Sequence, residues 1–294
     1  MGMNKETKVS TDAAAGVTVA VVGARGKTGR AIVSALAARG VPAVPVGRGE
    51  MADLGAVLKG CRAAYLMAPN LHPNELDFIS VLLGACREAG VERVVYHSVA
   101  APHAPDMPHH VAKAAAEDLV RRSGLQWSIL QPCAYIDNLL PGLREQKPHI
   151  AVPYNVDTRF GLISLADVGE VAAEVLLDEA HIGATYELGG PELLTVRDVA
   201  AAAEQVLGRT VELEVSTPKR WSLAHRNSVA DSTSDTSFDL REIEWLEAMF
   251  SYYDNHGLSC GALPAQAILS RPTRSVQEVL RTELSQLETF TNGS

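Results

Sequence analysis

Short runs of consecutive apolar residues alternate along this chain with longer stretches in which apolar side chains recur every three or four positions. Residues 17–22, VTVAVV, are β-branched, continuous and closed by glycine, which predicts a strand buried on both faces of a parallel sheet. Residues 28–39 place Ile32, Leu36 and several alanines on one helical face, with Gly40 suited to end the helix. The second strand, 41–47, is short and irregular because it contains two prolines. Strands at 63–69, 93–99 and 127–133 then alternate with helices at 75–90 and about 110–123. That alternation implies right-handed crossovers and an α/β, doubly wound parallel sheet. After about residue 150 the pattern is mixed. Helices at 165–179 and 195–208 flank a strand at 184–190 that is expected to return to the main sheet, and two amphipathic helices around 240–253 and 275–290 close the chain. The polar stretch 226–238 reads as a long mobile loop. The expected organisation is a flexible tail at 1–16, a main α/β domain over 17–150, and a smaller, mainly helical cap domain over 151–294.

The first strand-to-helix turn is Gly23-Ala24-Arg25-Gly26-Lys27-Thr28-Gly29. Glycines at this spacing, directly after a buried strand and before a helix, let backbone amides and a positive helix end approach a pyrophosphate, the signature of a Rossmann-type domain. The second strand ends in Val46-Gly47-Arg48-Gly49-Glu50. A cation there suits the 2′-phosphate of NADP, and a carboxylate suits the ribose of NAD. Arg48, joined by Arg25, favours NADP(H); Glu50 keeps NAD(H) open.

Composition narrows the partners. A formal net charge of −9 offers phosphate backbones and anionic lipid no general attraction, so neither nucleic acid nor a membrane surface is expected. No run approaches a membrane span, and the amino-terminal residues lack the apolar core of a signal peptide; a cytoplasmic protein is expected. The four cysteines show no CxxC spacing and read as buried thiols. His97, His103, His109 and His110 match no ligand pattern, so no metal is expected.

The glycine turn, the YHSV segment with Ser98, Lys113 on the next helix, ILQPCAYIDNL, ISLADVGEVAAEVL, YELGGPELLT and AMFSYYDNHGL occur in an order that resembles the NmrA-like family of atypical short-chain dehydrogenases. The resemblance spans residues 17 to about 285. It implies a nicotinamide dinucleotide cofactor held by Gly23, Arg25, Gly26, Lys27, Thr28, Gly29 and Arg48, with Met67, Ala68, Pro69, Ser98, Lys113, Pro132 and Tyr135 beside it. It also implies either a reductase of quinones and other conjugated compounds or a non-catalytic NADP(H)-sensing regulator. Ordinary relatives protonate substrate with the tyrosine of Tyr-x-x-x-Lys, but His109 stands four residues before Lys113 here. The expected chemistry is hydride transfer to a quinone or a conjugated, aromatic-polyketide-like carbonyl. Lys113 and Ser98 steady the oxyanion, and water, His109 or Tyr135 supplies the proton. The Ala- and Gly-rich composition suits a bacterial tailoring enzyme of natural-product biosynthesis; an epimerase or dehydratase lacks its usual base. Oligomeric state is not legible.

Overall fold

The computed structural model describes residues 16–230 and 238–284; the expected tail before Gly16 and most of the expected 226–238 loop lie outside them. The chain begins with β1 (Val19–Val22), α1 (Lys27–Ala38), β2 (Ala43–Val46) and α2 (Leu54–Leu58). Next come β3 (Ala63–Leu66), α3 (Glu75–Ala89), β4 (Arg93–His97), α4 (Pro108–Arg121) and β5 (Gln126–Pro132). These strands are joined by β7 (Thr185–Leu188) in one parallel sheet of order β2-β1-β3-β4-β5-β7. Edge position explains how β2 tolerates Pro45, whose missing N–H costs no ladder bond on the open side. Because the chain leaves β1 first toward β2 and then toward β3, the crevice between their carboxyl ends is where such sheets take ligands.

Side chains alternate across the sheet with a period of two. On one face Val19, Val21, Tyr65, Val95 and Leu130 pack with Ile32 and Leu36 of α1 and with Val168, Val171 and Val175 of α6 (Leu165–Leu177). On the other, Ala20, Leu66, Val94, Tyr96 and Ile129 pack with Leu58 of α2, Ile79 and Leu82 of α3, and Ala116 and Val120 of α4.

The second half is mainly helical and shares elements with the main sheet. It supplies α6 and β7 to the main layers, and it holds a small parallel sheet of β6 (His149–Val152) and β8 (Glu212–Val215). Around these lie α5 (Leu140–Leu143), α7 (Val196–Leu207), α8 (Pro218–Ala230), α9 (Leu240–His256), α10 (Leu263–Leu269) and α11 (Val276–Leu284). Residues 226–230 continue α8 and are not loop; the helix begun at Pro218 runs on through them. No described helix is long and apolar enough to cross a membrane.

Asp167, fully buried in the first turn of α6, ties the end of the described chain to the core. Its carboxylate accepts from Ser164 Oγ at 2.8 Å, Arg271 Nη2 at 2.8 Å, Arg274 Nη1 at 2.5 Å and the Arg274 backbone N–H at 2.8 Å. Asp167→Ala leaves these donors without their common acceptor and is expected to lower stability by roughly 3 kcal/mol, read from urea unfolding. A loss below ~1 kcal/mol would show that the paired arginines hold to Glu170 alone.

Candidate active site

At the end of β1 the backbone turns through Gly23 with φ +74, and Gly26 N–H donates to Gly23 O at 2.9 Å. A Cβ on Gly29 would stand 2.1 Å from Gly23 O, so only glycine lets α1 start this close to the strand. No side chain caps α1 and its first turn holds no acid, which leaves its amino-terminal N–H groups and positive dipole end free to meet an anion. Lys27 and Thr28 of that first turn line a cavity of about 540 Å³. A pyrophosphate fits this cradle.

Beside the turn, at the end of β2, Glu50 accepts from Arg25 Nη2 at 2.7 Å and Nη1 at 3.0 Å, and from Gly47 N–H at 2.8 Å. The Arg25 bonds, then the Gly47 bond, hold the Glu50 carboxyl down to about 2. Arg48 is exposed. The cation and the carboxylate suited to the two dinucleotides are therefore both present, with Arg25 already paired.

The cavity opens at the carboxyl ends of β3, β4 and β5 and is covered by α9. One wall is apolar and aromatic, with Tyr154, Phe160, Leu246, Met249, Phe250 and Tyr253. The other carries His97, Ser98, His109, His110, Lys113, Tyr135 and Asn138, with Met67, Ala68, Pro132 and Cys133 between; Pro69 is not among the lining residues. Of the late aromatic stripe, Trp245 lies 6.2 Å from the His109 ring, and Arg241 reaches across to Leu71 O at 2.7 Å, holding α9 over the mouth.

Lys113 is buried and donates to Glu75 Oε1 at 3.0 Å and to His97 O at 3.2 Å. An ammonium has three N–H groups, so one remains for a ligand. Glu75 also accepts from Tyr96 OH at 2.8 Å. Ser98 donates its hydroxyl proton to Glu117 Oε1 at 2.5 Å, leaving lone pairs to offer. It suits an amide N–H, and an oxyanion would have to compete with Glu117 for its proton.

Three buried histidines are neutral. Burial, then the Lys113 charge, pushes His97 to about 3. Burial, then Lys113, His110 and Arg241, takes His109 to about 3. Burial takes His110 to about 4 against the opposing bonds from Ala101 and Ala100. The expectation that His109 titrates near neutrality as a general acid is therefore revised. Its ring stays an uncharged imidazole because α4 sinks it beside a cation. His97 instead joins two phenols: Tyr65 OH lies 2.5 Å from Nδ1 and Tyr135 OH 2.9 Å from Nε2. Burial raises the Tyr135 phenol, and a Thr28 bond works in the opposite direction. Among the described residues no group of three His, Cys, Asp or Glu is placed to hold a metal, and all four cysteines are buried thiols.

A glycine turn at a sheet switch point, opening on a half-polar cavity, defines a dinucleotide-binding fold, and the NmrA-like family model matches residues 44–290. The chain belongs to the NmrA-like family. It is 30% identical over 219 residues to the (4-alkanoyl-5-oxo-2,5-dihydrofuran-3-yl)methyl phosphate reductase of Streptomyces griseus subsp. griseus, covering 67% of this chain and 76% of that one. It is 29% identical over 210 residues to the NAD(P)H azoreductase of Xenophilus azovorans, covering 68% and 72%. The structure of an NADPH-dependent quinone oxidoreductase from Escherichia coli, complexed with NADPH, superposes with a TM-score of 0.74 over 90% of this chain and 99% of the other, at 18% identity.

Sequence reasoning left out Glu75, Glu117 and Tyr65. An acid on a helix is ordinarily exposed, and an aromatic in an apolar strand ordinarily only packs. The only available signal was their place on segments that end at the crevice.

The histidines set the acid stability. Each is neutral when folded, with a value below the unfolded 6.5, so the unfolded chain binds more protons between about 3 and 6.5. Stability is then full above pH 7 and lost as pH falls below 6.5, by up to roughly 1.4 kcal/mol per pH unit for each histidine. Urea unfolding at pH 7, 6 and 5 should show this slope, and His109→Gln should remove about one third of it. A flat profile would mean that these rings are solvated.

Proposed function

We propose that the protein is an NAD(P)H-dependent reductase of a quinone or conjugated carbonyl compound. The observation that carries this reading is the phenol of Tyr135, backed by a neutral histidine and opening on the cavity that begins at the glycine turn. The Gly23–Gly29 turn and the start of α1 would hold the pyrophosphate. Arg25, Arg48 and Glu50 would meet the adenosine ribose, while Ser98 would accept from the carboxamide. When bound, the reduced nicotinamide supplies a hydride.

The chain's own residues do the rest. The aromatic wall receives a flat acceptor and excludes water, and the volume suits a polycyclic quinone or a substituted enone. As hydride reaches carbon, the carbonyl π pair moves to oxygen. The third N–H of Lys113 steadies that charge. Tyr135, kept protonated by burial, transfers its proton to the oxygen and regains one from water after product leaves. A quinone or enone suits this modest acid, because delocalisation already stabilises its anion. Two relatives named as reductases, of an alkanoyl-dihydrofuranone phosphate and of azo compounds, support a conjugated acceptor.

Oxidation of NADPH and NADH against quinones, enones and simple ketones tests this, with titration of each dinucleotide alongside. Turnover is expected with the conjugated acceptors, and Lys113→Ala and Tyr135→Phe should each lower kcat by roughly 10²-fold. Dinucleotide binding without turnover on any acceptor would overturn the reading in favour of a non-catalytic sensor. Glu50→Gln releases Arg25 and should shift preference toward NADPH; an unchanged ratio would remove this pair from cofactor choice.

A further inference from the structure

Tyr65 is fully buried on β3, and among the described residues its hydroxyl has one hydrogen-bond partner, His97 Nδ1. A buried phenol O–H left without an acceptor costs the full desolvation of that group, about 1–3 kcal/mol, so the Tyr65 proton points at Nδ1. That nitrogen then cannot carry a proton, because the ring is neutral. The proton of His97 lies on Nε2, where it is donated to the Tyr135 oxygen 2.9 Å away. With its oxygen already accepting from His97, Tyr135 must aim its own proton away from Nε2, toward the cavity and the Thr28 hydroxyl that lines it and bonds the phenol. The reverse arrangement, with Tyr135 donating to Nε2 and Nδ1–H donating to Tyr65, would strand the Tyr65 proton in the core.

From this we infer that Tyr65 and His97 are positioning residues: together they lock one imidazole tautomer and so orient the Tyr135 proton toward the acceptor. This inference rests on the reductase reading. In the step it serves, the Tyr135 O–H bond breaks and an O–H bond forms on the substrate oxygen, which has just gained the carbonyl electron pair. The pair left on Tyr135 is held by the His97 Nε2–H bond. The proton does not run further inward, because a Tyr65 phenolate would be buried with no counter-charge. The arrangement takes over in trans what the absent Tyr-x-x-x-Lys tyrosine does elsewhere. It explains how a histidine held uncharged at neutral pH serves proton transfer without being its source.

The test is the tautomer of His97 by nitrogen-15 NMR of the full-length wild-type protein, with kinetics of Tyr65→Phe and Tyr135→Phe. Expected are a protonated Nε2 and bare Nδ1 in wild type. Tyr65→Phe should give mixed tautomers and a kcat roughly tenfold lower or more, with acceptor KM within about twofold. A wild-type ring protonated on Nδ1 overturns the inference whether or not any variant folds, and so does a Tyr65→Phe enzyme with unchanged kcat. Tyr135→Phe separates the two ideas. If that variant keeps full turnover while wild-type His97 has the stated tautomer, the choice of proton donor has failed and the lock stands as a structural feature only. Full loss in Tyr135→Phe with a Nδ1-protonated ring fails the lock alone.

Discussion

Where β1 hands over to α1, the helix stands as close to the strand as Gly23 and Gly29 allow, and most of the molecule is arranged around that approach. With α1 seated this low on the sheet, α6 packs directly on it, and again a glycine sets the distance: a Cβ on Gly169 would lie 2.6 Å from Ala31 O. Two residues earlier on the same helix, Asp167 collects Arg271 and Arg274. A turn whose local geometry admits an anion is thus joined, through two close backbone contacts and one buried ion cluster, to the end of the described chain.

The period of two along β4 divides the chemistry of the site. Tyr96 and Ser98 face α3 and α4, where Glu75 and Lys113 form a buried charged pair and Glu117 accepts from Ser98. His97 faces the other way, toward Tyr65 and Tyr135, in a network with no formal charge. The two meet through one backbone atom, the His97 carbonyl that accepts from Lys113. This separation matters electrostatically. The ammonium lies near enough to help keep His97 uncharged, while Glu75 and the His97 carbonyl hold it in place.

At the dinucleotide end the arrangement is one of balance. Arg25 and Glu50 neutralise each other in a bidentate pair over Gly47, with Arg48 exposed beside them. At the other end of the cavity one wall is aromatic and the polar groups are concentrated on the opposite side.

The sheet, the glycine turn and the order of the first nine elements, the short α2 apart, were legible in the sequence. Buried parallel strands require continuous apolar runs, and a tight pyrophosphate turn requires glycine at fixed offsets. Lys113, Tyr135 and Thr28 could be named as well, since each sits near a strand end or helix start that the pattern locates. The small β6–β8 sheet was not legible, because its strands are 63 residues apart and mostly half-exposed. Nor were the partners of Lys113, Ser98 and His97. A lysine and a glutamate 38 residues apart, or a tyrosine and a histidine 32 apart, become neighbours only when the crossovers close the sheet. Local sequence determined which segments become strands and where an anion is welcome. Tertiary packing decided which side chains lose water together, and through that the charge of His109 and the partners that His97 and Tyr135 find in each other.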